Sequence, residues 1–109
     1  MEVEKEIGKI ELRGKVAVID CITLWLTNFF HDNKQDVEKS FAQAQEQLDE
    51  LVKQQATLVI ISNELGMGVH APSEAGRKFT DLQGWVNQRI AQRADKVILM
   101  IAGIPLTIK

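Results

Sequence analysis

The sequence has little of what marks an exported, metal-binding or nucleic-acid-binding protein. Its 109 residues contain one cysteine, Cys21, which lies inside an apolar run, so there is neither a disulfide framework nor a metal-type cysteine spacing. The formal net charge is −2 and the 13 Lys and Arg residues form no basic stripe, which argues against nucleic acid as a partner. No secretory h-region follows Met1, and no apolar stretch approaches membrane-spanning length. We therefore expect a cytoplasmic protein without a membrane span.

What the sequence does contain is typical of a small α/β domain. With 45% hydrophobic and 26% charged residues, it fits one domain, or part of one, over residues 1–109. Three apolar runs predict buried strands. They are Lys15–Asp20, Thr57–Ser62 and Lys96–Ile101.

The segments between these strands predict helices. Apolar residues recur at helical spacing over Val37–Val52 and Ser73–Arg93, and the bulky segment Ile22–Phe30 predicts a third helix, which ends at Asp32 and Asn33. Apolar strands that alternate with helices favour a parallel sheet with flanking helices. Because a three-strand parallel sheet has two edges, we also expect more chain or a partner to cover them.

Polar and small residues follow the first two predicted strands. Asp20 ends the first, and Asn63, Glu64, Gly66 and Gly68 follow the second. Parallel strands present their carboxyl ends at one edge, where ligands bind, so we expect Asp20, Asn63 and Glu64 to converge there. Two alternatives stay open. Asp20 is either a magnesium ligand or a helix cap, and the glycines either allow positive φ and close approach of a ligand or form a plain turn.

Other polar and aromatic residues carry weaker signals. His31 and His70 have no Ser, Cys or acidic partner at motif spacing, which favours exposed loop histidines over catalytic ones. Arg77 lies in the first turn of its predicted helix, from which it can reach an anionic ligand. Trp25 and Trp85 are interpreted as core or subunit-interface residues rather than platforms for stacking bases.

Four ordered segments together carry a family resemblance. They are VIDCITLWLTN (18–28), SNELGMG (62–68), RKFTDLQGWVNQRIAQRAD (77–95) and AGIPLTIK (102–109). From Val16 to Lys109 the chain resembles the bifunctional adenosylcobinamide kinase and adenosylcobinamide-phosphate guanylyltransferase family of cobalamin biosynthesis. The resemblance implies a P-loop NTPase-like (RecA-like) fold. It also implies phosphorylation of adenosylcobinamide, followed by GMP transfer from GTP through a guanylylated histidine.

The resemblance assigns residues and partners as well. It implies that Asp20 lies near the nucleotide and holds Mg²⁺ through water, with GTP or ATP as nucleotide and a corrinoid as second substrate. Asn63, Glu64, Gly66 and Gly68 would line the same cleft, and Glu4 would correspond to an acidic residue that contacts nucleotide. The resemblance also implies a homotrimer, since family members tend to assemble as homotrimers. The apolar Trp25, Phe29, Phe30 and Trp85 add to the expectation of a homo-oligomer.

Two family features are missing from these 109 residues. There is no G-x-x-x-x-G-K-[ST] sequence, and the region before Val16 is too short to carry the guanylylated histidine. His31 and His70 follow the first strand and cannot take that role. We therefore expect a carboxyl-terminal portion of the family enzyme that is inactive alone. The alternatives are a non-catalytic oligomerisation or ligand-binding module, or one half of a split enzyme.

Overall fold

A computed structural model describes residues 15–54, 56–69 and 71–109 as an α/β fold with three helices and four short strands. In chain order these are β1 (Val16–Ile19), α1 (Ile22–Asp32), α2 (Val37–Val52), β2 (Thr57–Ile60), α3 (Glu74–Arg93), β3 (Ile98–Ile101) and β4 (Ile104–Thr107). The three predicted helices and the first two predicted strands are confirmed, with ends that shift by one or two residues.

Side-chain caps set where the two long helices begin. The Asp36 carboxylate accepts a hydrogen bond of 3.0 Å from the backbone N–H of Lys39 and so starts α2. The Ser73 hydroxyl accepts one of 3.0 Å from the Gly76 N–H at the start of α3. Such caps satisfy N–H groups that have no partner within the helix, which explains why both helices start close to the predicted residues.

The hydrophobic core lies between the three helices and one face of the β1–β2 pair. Its most deeply buried side chains are no more than 1% exposed: Ile22, Trp25, Leu26, Ala44, Leu82 and Val86. Phe29 and Phe30 also belong to this core, whereas Trp85 is 42% exposed and packs edge-on against Phe41. The prediction that Trp25, Phe29 and Phe30 add to an apolar surface is therefore wrong, because the helices bury all three.

Strands β1 and β2 pair in parallel, as the sequence predicted. The register joins Val16 to Thr57 and Ile19 to Ile60. Since side chains alternate along a strand, Ile19 and Ile60 pack toward the helices, while Val18 on the opposite face is 59% exposed. The sheet is thus covered on one face by the described residues.

The third predicted strand does not join this sheet. Instead β3 pairs with β4 in an antiparallel hairpin, in which Ile101 lies opposite Ile104. Ala102 and Gly103 connect the strands with φ values of 52° and 76°, the positive angles that a two-residue hairpin turn requires. The expectation of three parallel strands is corrected on this point: a tight turn reverses the chain and pairs β3 with its sequence neighbour.

Among residues 15–54, 56–69 and 71–109, no helix combines the length and the apolar character that crossing a membrane requires.

Candidate functional site

The carboxyl ends of β1 and β2 meet at one edge of the sheet, which we call the rim. The Ile61 N–H donates to the Ile19 carbonyl over 3.0 Å, and the Ile22 N–H donates to the Ile61 carbonyl over 2.9 Å. These two bonds attach the start of α1 to the segment that follows β2. Asp20 therefore lies beside that segment, with an exposed side chain.

A closed set of side-chain hydrogen bonds joins three parts of the chain behind the rim. We call it the amide ring, and it consists of Thr23, Ser62, Asn63, Gln83 and Asn87. The Asn63 Nδ2 donates to the Thr23 hydroxyl over 2.8 Å, and that hydroxyl donates to the Gln83 Oε1 over 2.7 Å. The first turn of α1, the segment after β2 and the middle of α3 are thereby tied together.

The other half of the amide ring returns from α3 to Asn63. The Gln83 Nε2 donates to the Ser62 hydroxyl over 2.9 Å and to the Asn87 Oδ1 over 3.0 Å. The Ser62 hydroxyl donates to the same Asn87 oxygen over 2.5 Å. Finally, the Asn87 Nδ2 donates to the Asn63 backbone carbonyl over 2.9 Å and closes the ring.

Burial makes the hydrogen bonds of Gln83, at the centre of this ring, costly to break. Gln83 is fully buried, yet both polar atoms of its amide have partners. Across the described parts of the chain, no buried side-chain nitrogen or oxygen lacks a hydrogen bond. Removing one partner of a buried polar group costs about 1–3 kcal/mol, so the ring favours a single arrangement of the rim.

The loop that contains Gly66 and Gly68 is held by a hydrogen bond within the loop itself. The Glu64 carboxylate accepts a hydrogen bond of 2.6 Å from the Gly66 N–H. A Cβ at position 66 would lie 3.0 Å from the Glu64 Oε1, whereas at Gly68 the nearest atom would be 3.9 Å away. Neither glycine has positive φ, which favours the plain turn of the two alternatives that the sequence left open. Gly66 matters because it lets the Glu64 side chain fold back on its own loop.

Arg77 and His31 lie outside the amide ring. The Arg77 guanidinium donates to the Ala71 carbonyl over 3.3 Å and so holds the loop that precedes α3. His31 is exposed near the end of α1. Glu4 and His70 lie outside the described residues.

Asp20 presents an exposed carboxylate where β1 ends. Its exposed carboxylate has no hydrogen bond or ion pair with another described residue. In nucleotide enzymes Mg²⁺ keeps several waters and uses one or two carboxylates together with substrate phosphates. A single open carboxylate at a strand end fits that mode. No group of three or more His, Cys, Asp or Glu side chains forms a metal cluster within the described ranges.

Gln83 and Asn87 were not predicted as site residues, although the sequence contains a signal for them. They are four residues apart on α3 and therefore lie on one side of the helix. The buried residues Leu82 and Val86 are their immediate neighbours in sequence. Two amides beside an apolar stripe indicate a polar contact at the edge of the core, and that contact is the amide ring.

Chemically, the rim offers a metal-type carboxylate, a fixed amide and a folded loop next to the carboxyl ends of two parallel strands. This is where ligands bind in open α/β folds. Carboxylate, amide and backbone N–H groups at such an edge can contact a metal-bound phosphate or another polar ligand.

Comparison with known proteins identifies the family of this chain. Residues 1–108 match the family model described as cobinamide kinase / cobinamide phosphate guanyltransferase. The chain therefore belongs to that family.

Three relatives support the same assignment. The bifunctional adenosylcobalamin biosynthesis protein CobP of Pseudomonas aeruginosa is 36% identical over 97 residues, which cover 88% of this chain and 54% of that protein. The corresponding CobU proteins of Escherichia coli and Salmonella typhimurium are each 33% identical, over 107 and 103 residues. Those matches cover 88% and 84% of this chain, and 59% and 57% of the relatives. The chain thus spans little more than half the length of these relatives.

Proposed function

We propose that this chain provides the carboxyl-terminal part of the nucleotide site of an adenosylcobinamide kinase and adenosylcobinamide-phosphate guanylyltransferase. The observation that carries the proposal is the position of Asp20, Asn63 and Glu64 shortly after the ends of two strands that pair in parallel. Family membership supplies the reactions, which belong to cobalamin biosynthesis, and the names of the relatives agree with them. The whole chain, residues 1–109, would be one domain within a P-loop NTPase-like fold acting in the cytoplasm.

In this proposal each rim residue acts on the nucleotide or its metal. Asp20 holds, through water, a Mg²⁺ ion that neutralises charge on the phosphates of GTP or ATP. Asn63 and the Glu64–Gly68 loop line the same cleft, and Arg77 lies at the start of α3, where an anionic group is favoured. The corrinoid adenosylcobinamide is the second substrate.

These residues do not suffice for phosphoryl transfer. The reaction moves the γ-phosphoryl group of the nucleotide to a hydroxyl of adenosylcobinamide, and most of its catalysis comes from positioning and charge stabilisation. P-loop enzymes supply both with backbone N–H groups and a lysine, and these 109 residues contain no such sequence. We therefore expect this chain alone to form no product and no GMP adduct.

The test is complementation with the amino-terminal part of a family member. The purified chain is incubated with radiolabelled GTP and adenosylcobinamide phosphate, alone and with that part, and a full-length relative is the positive control. We expect product only when the two parts co-elute as a complex. A complex without activity would overturn the proposed function, and label retained by this chain alone would overturn the expected inactivity.

Substitution at Asp20 then identifies the metal ligand. Asp20→Asn should lower the rate of the complex by about tenfold or more, because the carboxylate that holds the metal water is lost. Asp32→Asn is the matched control, since Asp32 is exposed at the far end of α1. Equal rates for both variants would remove Asp20 from the site.

A second candidate function is favoured by the β3–β4 hairpin. Its apolar side chains are exposed: Ile98, Met100, Ile101, Ile104 and Leu106 are each between 47% and 68% exposed. An isolated two-strand hairpin is marginally stable, and exposed apolar patches mark association sites. The chain would then act as a non-catalytic oligomerisation or ligand-binding module, for which a homotrimer is expected. Alternatively, it would be the partner of a separately encoded amino-terminal half. Light scattering separates these outcomes by mass.

A further inference from the structure

We infer that Gln83 and Asn87 are positioning residues. Through the amide ring they hold the Asn63 side chain with its Nδ2 bonded to Thr23 and its Oδ1 open at the rim, as an acceptor for a hydroxyl or N–H group of the nucleotide. Only the identity of that ligand rests on the proposed function. The orientation of Asn63 rests on the geometry of the ring.

The direction of every hydrogen bond in the ring follows from one backbone group. The Asn63 carbonyl can only accept, so the Asn87 amide must turn its Nδ2 toward it. That places the Asn87 Oδ1 toward Gln83 and Ser62, both of which must then donate to it. A reversed Asn87 would set two oxygens against each other and leave buried donors without partners.

The hydrogen-bond directions at the start of α1 follow in the same way from those on α3. Because the Gln83 Nε2 is used toward Ser62 and Asn87, its Oε1 faces Thr23 and accepts that hydroxyl proton. The Thr23 oxygen is then left as an acceptor, and the Asn63 Nδ2 donates to it. A reversal of the Asn63 amide would direct its oxygen at the Thr23 oxygen, whose proton is already committed.

At the rim, the ring leaves the Asn63 Oδ1 as a hydrogen-bond acceptor held in one orientation. Asn63 is exposed, and its Oδ1 has no hydrogen-bond partner in the described part of the chain. A nucleotide presents donors of two kinds, ribose hydroxyls and base N–H groups. A site whose acceptor is held in advance discriminates against an analogue that lacks the matching donor, because its polar group is then left unpaired.

Three amide-to-acid substitutions test the ring without changing side-chain shape. Asn87→Asp and Gln83→Glu each replace a donating nitrogen with an oxygen. Gln88→Glu is the matched control, because Gln88 is exposed on the same helix and the charge change is the same. Circular dichroism identifies the variants that keep the fold, and Asn87, which is only partly buried, provides the test if the Gln83 variant unfolds.

The readout is hydrogen exchange of the Asn63 side-chain amide, followed by NMR on the 109-residue chain. We expect slow exchange in the wild type and the Gln88 variant, and exchange faster by about tenfold in Asn87→Asp, the factor for one net hydrogen bond. Loss of fold alone would raise exchange at all amides, so core amides of α3 serve as the internal reference. Equal Asn63 exchange in the wild type, Asn87→Asp and Gln88→Glu would overturn the ring as a positioning device.

A titration with GTP·Mg²⁺ at millimolar concentration tests the ligand contact. We expect GTP to shift the signals of Asn63 and Asp20, and Asn63→Ala to weaken binding by about tenfold. Two analogues identify the donor: inosine triphosphate lacks the exocyclic amino group of guanine, and deoxy-GTP lacks the ribose 2′ hydroxyl. If Asn63 accepts a hydrogen bond from one of these groups, Asn63→Ala should not weaken binding of the analogue that lacks it. If GTP shifts Asp20 but its affinity is the same for Asn63→Ala, the inference fails and the proposed function stands. If GTP shifts the signal of no rim residue, the nucleotide site proposed for this chain fails as well. The hydrogen-exchange experiment still tests the positioning role of the amide ring in that case.

Discussion

Two leucines two residues apart on α1 provide a matched test of where the core lies. Leu26 is fully buried, whereas Leu24 is 64% exposed. Both lie in the same helix, Leu24 in its first turn, and Leu→Ala changes helix propensity only slightly at either position. The difference between Leu26→Ala and Leu24→Ala therefore isolates the contribution of burial.

The expected magnitudes follow from these exposures. Removing a fully buried leucine side chain costs about 3–5 kcal/mol, from lost transfer free energy and from the cavity left behind. At Leu24 we expect a cost of about 0.5 kcal/mol, typical of a surface position. With an unfolding entropy of about 2.1 cal/mol/K per residue, a cost of about 3 kcal/mol lowers Tm by about 13 °C in a chain of this size.

Urea unfolding followed by circular dichroism measures both free energies. If Leu24→Ala proves as costly as Leu26→Ala at low protein concentration, our assignment of the core face of α1 is wrong. If the cost at Leu24 rises with protein concentration, a second copy covers this leucine, because association couples apparent stability to concentration. The same pair of variants thus also tests the proposed homo-oligomer.

Three further predictions concern local interactions. Asp36→Ala should lower the free energy of unfolding by about 1 kcal/mol through loss of the α2 cap, measurable in the same urea titration. Gly103→Ala meets no steric obstacle but must adopt a φ of 76°, so hydrogen exchange across β3–β4 should show a hairpin weaker by about 1 kcal/mol. A hydrogen bond from Lys53 to the Glu50 carboxylate, together with the charge of Glu50, raises the pKa of Lys53. Glu50→Gln should therefore lower that pKa in an NMR titration, and the small stabilisation from this exposed pair is lost as pH rises through it.

The elements that follow simple periodicity were predictable from the sequence. The stripe over Val37–Val52 matches α2 residue for residue, because its apolar spacing and the Asp36 cap agree on the same start. The order β1, α1, α2, β2, α3 was predictable for a similar reason, since short β-branched runs alternate with long amphipathic segments. Apolar periodicity was therefore enough to predict each element whose structure depends on a single helix face or a single strand.

The pairing of β3 was not predictable from its own residues. The run Ile98–Ile101 looks like a buried parallel strand, because apolar character alone does not distinguish a strand covered on both faces from one exposed in a hairpin. Pro105 follows this run, and proline lacks the N–H that a central strand needs. An edge strand tolerates proline, and β4 is such a strand, with Pro105 opposite Met100. The Ala102–Gly103 turn decides the pairing of β3, and the apolar run itself does not.

The rim was predictable in outline but not in its chemistry. Topology alone places Asp20 and Asn63 at one edge, since parallel strands end together. The amide ring depends on contacts between residues far apart in sequence: Thr23 and Gln83 are separated by 60 positions, and Thr23 and Asn63 by 40. Each is an ordinary polar residue within its own segment, and only the packing of α3 across the two strand ends makes them partners. Polar pairs at helical spacing beside an apolar stripe, such as Gln83 and Asn87, are therefore the feature that connects sequence to site here, because burial obliges them to find partners in the segments they pack against.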